Sequence, residues 1–464
     1  MNFFILPEVN DIVSSRDIEI QHGNNDIVIS KSLSNYLNTM KTQIDDYAEN
    51  WDIYKKYTNS YEFIHGQIPH TKMSVCKFKP LSRSFYKMIE ICYALNILND
   101  FNDPEQEPVE PVEPVEPVEP VEPVELVEPV EPVEPIESVE PVEPVEPVEP
   151  VEPVEKSPIK TFHLAEGPGG FIEAIQHLRE NDDDCYYGMT LINDTNDNIP
   201  GWRKSRHFLS HHANVIIEKG ADETGNLFNV ANLWHCHNLY KGSMDLITGD
   251  GGFDFSQDFN RQEILSINLI FSQICYAIAM QKRGGTFILK IFDIFSQITI
   301  DMLYILSTLY TKVYICKPHT SRLANSEKYV VCKNFKLDDA YELVKRFSTL
   351  FPVLNKSNKN GIKNGIKNDI KNDIQRFLNI EIPYFYTNKI EDINAVIGQH
   401  QLENIIATLY LLDNNKQDKL DMLKKNNIQK CIQWCIKYKF PYNINIQPIN
   451  VFLRGDPVSP QTTL

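Results

Sequence analysis

The chain has 464 residues with a formal net charge of −18, and 42% of the residues are hydrophobic. This length allows one large domain together with one or two smaller ones. Residues 104–155 contain 18 Glu and no Lys, Arg or Asp, so the 45 acidic residues elsewhere equal the 45 Lys and Arg in number. The acidic total therefore does not exclude a nucleic-acid partner for the rest of the chain.

The cysteines and the apolar segments indicate the cellular compartment in which the protein is expected. Nine cysteines are scattered without a C-x-x-C pair, a pattern typical of reduced, buried thiols. The first residues lack the basic segment of a signal peptide, and no stretch approaches about 18 apolar residues. We therefore expect a soluble intracellular protein without a membrane span. Abundant Asn, Lys and Ile favour an AT-rich genome such as that of a large DNA virus, with the protein in host cytoplasm or in a virion.

The first 155 residues divide into three predicted segments. Residues 1–79 look mainly helical, for example over 32–57 after the cap-like Ser30. Residues 80–103 are predicted to begin the main domain. Residues 104–155 repeat Val-Glu-Pro, which predicts a disordered, polyproline-II-like insertion. This insertion is either a tolerated repeat expansion in a surface loop or a docking or spacer segment.

The main domain is predicted over residues 156–350, where short apolar runs alternate with helical patterns. Five strands linked by helices, followed by a hairpin at the edge, predict an α/β fold. Its sheet would be Rossmann-like, with seven strands of which the last is antiparallel, and with helices on its flanks. The predicted strands are 160–165, 185–190, 213–219, 244–249 and 285–290, with the hairpin at 312–317 and 328–333.

The C-terminal part of the chain divides into a linker, a helical region and a tail. Residues 351–374 repeat Asn-Gly-Ile-Lys and Asn-Asp-Ile-Lys, a composition typical of a linker. Residues 375–454 have helical periodicity with Lys and Asn on the polar face, and residues 455–464 look like a frayed tail.

Small residues follow the first predicted strand of the main domain. The strand runs into Glu166-Gly-Pro-Gly-Gly170, and a helix begins near Phe171. Such a turn lets a ligand approach the backbone at the carboxyl end of the sheet. It is not a G-x-G-x-x-G pyrophosphate motif, and by itself it is as often structural as functional. Asp222, after the third strand, is either an acceptor for an adenine amino group or a turn residue.

Charged residues follow the next two strands. Asp250 stands in Gly249-Asp-Gly-Gly-Phe253 after the fourth strand, and Lys290 ends the fifth. Parallel strands end at one edge of a sheet, so these two side chains are predicted to be neighbours. The hairpin adds Lys317 and the run Ser321-Arg-Leu-Ala-Asn-Ser-Glu-Lys-Tyr-Val-Val-Cys332. The five-strand-plus-hairpin arrangement suits methyltransferases better than dehydrogenases.

Together these motifs resemble the FtsJ-type RNA 2′-O-ribose methyltransferases. Within them the chain is most similar to the mRNA cap methyltransferases of eukaryotes and large DNA viruses, which act on the first transcribed nucleotide. The resemblance covers roughly residues 80–100 and 158–335. The matching residues, besides those quoted above, are Gly188-Met-Thr-Leu191, Gln262-Glu263, Gly284-Gly285, Lys290-Ile-Phe-Asp293 and Lys317-Pro318.

The resemblance implies S-adenosylmethionine as cofactor and a catalytic tetrad of Lys87, Asp250, Lys290 and Glu327. In this tetrad Lys290 is the base, Lys87 steadies the developing alkoxide, Asp250 orients Lys290 and Glu327 holds the two lysines. We expect burial and Lys87 to lower the pKa of Lys290 and the two carboxylates to oppose that shift. No metal is required. The implied cofactor contacts are Glu166, Gly167, Pro168, Gly169, Gly170, Phe171, Thr190, Asp222 and Asp250, and the implied RNA contacts are Lys317, Ser321, Arg322 and Asn325.

Some features stay open at this point. The second strand ends without the acid that often holds the cofactor ribose, and Asp194 is the nearest one. The His-Cys-His run at 235–237 is a poor zinc site because adjacent residues on a helix cannot all face one ion. Aromatic residues are candidates for stacking on a cap guanine or for the core, and basic ones for an RNA path or a solvated face. These aromatics are Trp202, Tyr240 and Trp434, and the further basic residues are Arg261, Lys282, Arg283 and Lys328.

Three functions compete on the sequence alone. The favoured one is 2′-O-methylation of capped mRNA, with RNA as partner and other capping enzymes as candidate partners. The same chemistry on ribosomal or transfer RNA is the first alternative, because the tetrad does not encode the substrate. A non-catalytic RNA- or cofactor-binding subunit of a capping assembly is the second. The sequence does not indicate the oligomeric state.

Overall fold

The computed structural model of the chain describes most residues outside the low-complexity segments. The Val-Glu-Pro insertion, nearly all of the predicted linker and the predicted tail lie outside the described residues, so their character stays a prediction. The described residues are 1–23, 27–98, 156–192, 199, 201–252, 259–354, 374–414 and 416–443.

Strands and helices alternate through the middle of the chain, and helices dominate its two ends. The strands are β1 (Asn2–Ile5), β2 (Ile18–His22), β3 (Lys160–Leu164), β4 (Cys185–Met189), β5 (Val215–Ile217), β6 (Met244–Gly249), β7 (Gln281–Ile291), β8 (Tyr310–Lys317), β9 (Lys328–Phe335) and β10 (Ile374–Leu378). The helices are α1 (Lys31–Thr42), α2 (Ala48–Thr58), α3 (Ser84–Ala94), α4 (Gly170–Arg179), α5 (Arg206–His211), α6 (Val230–Tyr240), α7 (Gln262–Met280), α8 (Gln297–Leu309), α9 (Tyr341–Ser348), α10 (Tyr384–Asn414) and α11 (Gln417–Lys437).

The main sheet has the strand order β1-β8-β9-β7-β6-β3-β4-β5. Strands β3 to β7 are parallel, while β9 runs antiparallel between β7 and β8. This order confirms the α/β class and the Rossmann-like sheet with an antiparallel strand. The strand count of the prediction is wrong by one. The sheet has eight strands, because β1 pairs with β8 at the edge. Within the hairpin, β8 lies two positions from β7, and β9 fills the position between them.

The central strands of the main sheet are buried on both faces, which explains their continuous apolar runs. In β7, Phe287 and Leu289 belong to one core cluster together with α7 and α8. Ile288 between them points to the other face and belongs to a second cluster together with α3, α4 and α11. Helices from both ends of the chain therefore cover one face of the sheet.

Helix α7 corrects the expectation that no segment reaches membrane-spanning length. It has 19 residues and is apolar enough to cross a membrane by length and composition. However, 83% of its apolar window is buried inside the protein, where it packs against the sheet, α6 and α9. A helix that is apolar on all sides is typical of a buried core position as well.

The N- and C-terminal regions pack against each other and are not purely helical. Helices α1 and α2 contact α10, while α11 contacts the one-turn helix Glu62–Ile64. Besides β1, these regions contribute β2 and β10, which pair antiparallel with each other. Both regions also contact the loop 318–327 that joins β8 to β9. This loop leads into the candidate active site.

Candidate active site

Four charged side chains meet at the carboxyl edge of the main sheet. Asp250 directly follows β6, Lys290 lies near the end of β7, and Glu327 immediately precedes β9, while Lys87 arrives from α3. Nζ of Lys87 lies 2.6 Å from Oε1 of Glu327, and Nζ of Lys290 lies 3.1 Å from Oδ1 of Asp250. The structure thus brings the four predicted tetrad residues together as two ion pairs.

The position of Lys87, which precedes the long insertion, depends on close packing of α3. The hydroxyls of Ser82 and Ser84, at the start of α3, occupy the space that a Cβ on Gly170 would need. Glycine at this position therefore lets α3 lie directly against the first turn of α4. Since α4 follows the Gly-rich turn, this contact fixes Lys87 beside the same edge of the sheet.

Tyr329 joins the two ion pairs, although it was not among the predicted site residues. Its hydroxyl donates to Oδ1 of Asp250 at 3.1 Å and accepts from Nζ of Lys87 at 3.4 Å. Its side chain is fully buried in β9, and it pairs across the sheet with Lys290. A signal was present in the sequence, because Tyr329 stands two residues after Glu327 and side chains two apart in a strand share a face.

The electrostatics of the site favour the charged forms of Glu327 and Lys290. Burial opposes ionisation of Glu327, but Lys87, Lys290 and Lys317 together hold its pKa well below the usual range. Burial likewise lowers the pKa of Lys290, yet Asp250 and Glu327 raise it by more, so its pKa lies above the ordinary value. The expected lowering of the Lys290 pKa is therefore wrong for this state, because the carboxylates outweigh burial.

The Gly-rich turn between β3 and α4 lies beside Asp250. Glu166 is only 3% exposed; its Oε1 accepts from the backbone N–H of Phe171 at 2.5 Å, while its buried Oε2 has no hydrogen-bond partner among the described residues. Burial, and then the charge of Asp250, raise the pKa of Glu166 well above its usual range. Gly169 has a φ of +104°, a conformation that favours glycine.

These features fit S-adenosylmethionine. The unpartnered Oε2 of Glu166 can accept from a hydroxyl or an ammonium group, and the cofactor has both. Thr190 follows β4 at the same edge, and its side chain borders Gly167. Phe171, by contrast, is fully buried, and its ring lies 5.9 Å from the ring of Tyr329, so the structure places it in the core beneath the site. The other predicted cofactor residues lie at or beside this turn, and their contacts with the cofactor stay a prediction: Glu166, Gly167, Pro168, Gly169, Gly170, Thr190 and Asp250.

Asp222 organises its own turn after β5. Its Oδ1 accepts from the backbone N–H and the hydroxyl of Thr224 at 3.0 and 2.7 Å and from Asn232 at 2.8 Å, while its Oδ2 accepts from Asn229 at 2.6 Å. These hydrogen bonds outweigh the effect of burial and hold the pKa of Asp222 well below its usual range. The structure thus favours the turn role, and the adenine contact stays a prediction. Asp194 lies outside the described residues.

Two of the predicted RNA contacts are buried beneath the tetrad. Lys317 is 6% exposed, and its Nζ donates to the backbone carbonyls of Asn325 and Glu327 at 2.6 and 2.5 Å. Burial lowers the pKa of Lys317 to about 7. Ser321 is 2% exposed and donates to Oε1 of Glu327 at 2.8 Å. Both side chains therefore shape the loop that presents Glu327, and the prediction that they contact RNA is wrong for this state.

The other two predicted RNA contacts differ from each other. Arg322 is partly buried and pairs with Glu62, whose Oε1 lies 2.7 Å from its Nη2, so its charge is directed inward. Asn325 is exposed, as is Arg261 before α7. Asn325, from the predicted RNA contacts, and Arg261, from the further basic candidates, are therefore placed where RNA could reach them.

The remaining basic candidates lie away from the site or inside the protein. Lys282 and Arg283 lie at the amino end of β7, opposite the tetrad, where they pair with Asp245 and Asp338 at 2.8 and 2.5 Å. Lys328 is 3% exposed and donates to a backbone carbonyl at 2.7 Å. For these residues the structure favours pairing over an RNA path.

The aromatic candidates separate in the same way. Trp434 is 3% exposed and donates from its ring nitrogen to Glu90 at 2.9 Å, and the hydroxyl of Tyr240 donates to a carboxylate at 2.5 Å. Both residues therefore have a structural role. Trp202 is half-buried beside Gly169 and Gly188, next to the cofactor turn. In the part of the chain that the structure describes, no group of three His, Cys, Asp or Glu side chains is placed to hold a metal ion.

Comparison with known proteins supports the geometry. Residues 152–335 match the FtsJ-like methyltransferase family. Cap-specific mRNA (nucleoside-2′-O-)-methyltransferase 1 of Trypanosoma cruzi is 41% identical over 182 residues, which are 36% of this chain and 46% of that protein. Methyltransferase 2 of the same name from Drosophila melanogaster is 33% identical over 201 residues, 39% of this chain and 28% of the relative.

A longer but more distant alignment extends beyond the matched domain. Cap-specific mRNA (nucleoside-2′-O-)-methyltransferase 2 of Pongo abelii is 26% identical over 292 residues, 61% of this chain and 35% of that protein. The chain thus spans between about a quarter and a half of the length of these relatives. The tetrad geometry and the family match agree on one conclusion. Residues 152–335 form a domain that matches the FtsJ-like methyltransferase family.

Proposed function

We propose that the chain transfers a methyl group from S-adenosylmethionine to a ribose 2′-hydroxyl of RNA. The observation behind this proposal is the pair of ion pairs, Lys87–Glu327 and Lys290–Asp250, joined by Tyr329 beside the Gly-rich turn. A ribose hydroxyl is a weak nucleophile. The protein must therefore position it in line with the methyl group and remove its proton.

Each tetrad residue has a task in this proposal. When bound, S-adenosylmethionine supplies a methyl group already activated by a sulfonium. Lys290 accepts the proton of the ribose hydroxyl, and Asp250 orients Lys290 through its carboxylate and through its backbone carbonyl, 2.7 Å from Nζ. Lys87 stabilises the developing negative charge on the ribose oxygen, while Glu327 holds Lys87 in place.

The protonation state of Lys290 sets a condition on this mechanism. Its pKa is raised in the present state, so it must lose a proton before it can act as a base. Burial already lowers this pKa, although the carboxylates outweigh it. RNA that covers the site excludes further water, strengthens the burial effect and thereby favours the neutral lysine.

We infer that the RNA is capped mRNA and that the ribose is that of the first transcribed nucleotide. Support comes from the relatives, which are named as cap-specific, and from the run Ser321–Cys332, which favours the cap subgroup. A reducing intracellular compartment suits this activity, since all nine cysteines are free. RNA is the main partner in this proposal, and other capping enzymes are candidate partners.

The test compares two short RNAs that differ only in the 5′ cap. Each is incubated with the full chain and methyl-labelled S-adenosylmethionine, and the labelled ribose is mapped after digestion. We expect label on the first transcribed nucleotide of the capped RNA alone. Equal labelling of both RNAs would contradict cap dependence and favour ribosomal or transfer RNA. Cofactor binding by calorimetry without methyl transfer to any RNA would favour the non-catalytic alternative.

A further inference from the structure

A buried carboxylate outside the matched domain joins the two segments that provide Lys87 and Glu327. Glu62, in the one-turn helix after α2, is 3% exposed. Its Oε1 accepts from Nη1 of Arg83 at 2.8 Å and from Nη2 of Arg322 at 2.7 Å. Its Oε2 accepts from Nη2 of Arg83 at 3.1 Å and from Nε of Arg322 at 3.0 Å. Both guanidinium groups are thus held bidentately, the geometry that fixes orientation most firmly.

The two arginines stand next to the two ends of one catalytic ion pair. Arg83 immediately precedes α3, four residues before Lys87, so the two side chains lie on the same side of that helix. Arg322 follows Ser321, whose hydroxyl donates to Glu327 at 2.8 Å. Glu62 is therefore connected to the Lys87–Glu327 pair, which meets at 2.6 Å, through Arg83 on one side and through Arg322 and Ser321 on the other.

Neighbouring contacts make this connection rigid. The side-chain oxygen of Asn59 accepts from the backbone N–H of Leu323 at 3.0 Å, within the same loop as Arg322. Arg83 also donates to the carbonyl of Thr320 at 3.5 Å. Burial favours the neutral form of Glu62, but its arginine partners lower its pKa to about 2, so the carboxylate stays charged. The segment around Glu62 thus holds the catalytic loop at several points.

We propose that Glu62 is a positioning residue for methyl transfer, which sets the separation of Lys87 and Glu327 without touching the substrate. This inference rests on the function proposed above. Glu62 lies outside the 152–335 family match. The N-terminal region therefore contributes to the active site.

Replacing Glu62 with Gln should affect catalysis in a specific way. The amide cannot neutralise two guanidinium groups, and Arg322, which already interacts electrostatically with Glu327, then competes with Lys87 for that carboxylate. We expect kcat to fall about 10- to 100-fold, since small displacements of catalytic groups have effects of this order. The KM for S-adenosylmethionine should not change, because Glu62 does not contact the Gly-rich turn.

The pH profile distinguishes positioning from mere stability. The two uncompensated arginine charges lower the pKa of the nearby lysines, so the rise of kcat with pH should move to lower pH in Glu62→Gln. The matched control is Asp184→Asn, which breaks another buried carboxylate–arginine pair, with Arg179, at the amino end of β4. Its kcat and pH profile should equal those of the unchanged chain at temperatures where it is folded.

Amide hydrogen exchange over residues 319–323 gives a readout that does not depend on activity. Exchange there should accelerate in Glu62→Gln and not in Asp184→Asn. An unchanged kcat and pH profile with unchanged exchange would overturn the assignment. If Glu62→Gln does not fold, Arg322→Gln tests the same contact, and a full kcat in that variant would equally overturn it. An unchanged chain that methylates no RNA would contradict the proposed function instead, and the exchange data would still decide the role of Glu62.

Discussion

Buried ion pairs lie at both edges of the main sheet, and the two edges are built differently. At the amino edge, Arg179 binds both carboxylate oxygens of Asp184 at 2.8 Å, and the two side chains are 1% and 0% exposed. The hydroxyl of Tyr186 and the backbone N–H of Ile159 donate to the same carboxylate. This pair has its hydrogen-bonding capacity satisfied within the protein.

At the carboxyl edge the pairs are more exposed to solvent. The side chains of Lys87 and Glu327 are 13% and 16% exposed, and those of Lys290 and Asp250 are 12% and 15% exposed. Beside them, the buried Oε2 of Glu166 has no partner among the described residues. A closed bidentate pair stabilises the fold, whereas an edge with unused acceptors and accessible charges is suited to ligand binding.

The largest expected effect comes from removing the proposed base. We expect Lys290→Ala to lower kcat by about 10²- to 10⁴-fold, the contribution usual for general acid–base catalysis. The rate of methyl transfer to capped RNA, monitored by incorporation of the methyl label, measures this effect. The matched control is Lys282→Ala, on the same strand but at the opposite edge, where the side chain is 56% exposed. Activity in Lys290→Ala equal to that of Lys282→Ala would contradict the proposed mechanism.

The second expected effect concerns stability at the amino edge. Asp184→Asn leaves Arg179 buried without its counter-charge, and we expect the free energy of unfolding to fall by about 3–5 kcal/mol. Chemical denaturation followed by circular dichroism measures this change. The comparison of the two edges predicts that kcat at low temperature stays within about twofold. A loss of kcat in a variant that keeps its stability would show that the amino edge is not purely structural.

The fold was predictable where local pattern decides it. The five parallel strands and the hairpin were found because each is a short, largely apolar run, and the parallel strands alternate with helical patterns. The edge strand β1 was missed because four residues show little periodicity, and only pairing with β8 defines it. The length of α7 was overlooked because scattered polar residues interrupt its apolar sequence.

The site was predictable in its charged centre and not in its supports. Asp250 and Lys290 follow from strand ends, whereas Lys87 required the resemblance because the insertion separates it from the others. Arg322 was predicted to bind RNA, since a sequence shows a charge and not its partner. That partner, Glu62, is 260 residues away along the chain. Contacts of this kind arise from tertiary packing.

The smallest expected effect is a shift in the pH dependence of catalysis. A lysine base acts in its neutral form, so kcat should rise with pH through the pKa of Lys290. Burial lowers that pKa, while Asp250 and Glu327 raise it above its ordinary value, and the rise should therefore continue into the alkaline range. Glu327→Gln removes one of the raising charges and should move the rise about one pH unit lower, in the range usual for loss of a nearby charge.

The same substitution also reduces kcat at every pH, because Lys87 loses its carboxylate partner at 2.6 Å. The midpoint and the maximum of the pH–rate profile must therefore be fitted separately. The rates come from single-turnover experiments with saturating capped RNA. Glu342→Gln, on the distant helix α9, is the control and should change neither quantity. A lower maximum with an unmoved midpoint would mean that Glu327 orients Lys87 but does not set the charge of Lys290. In that case Glu327 would contribute to the carboxyl edge of the sheet only by orienting Lys87. Asp250 would then have to account for the raised pKa of Lys290.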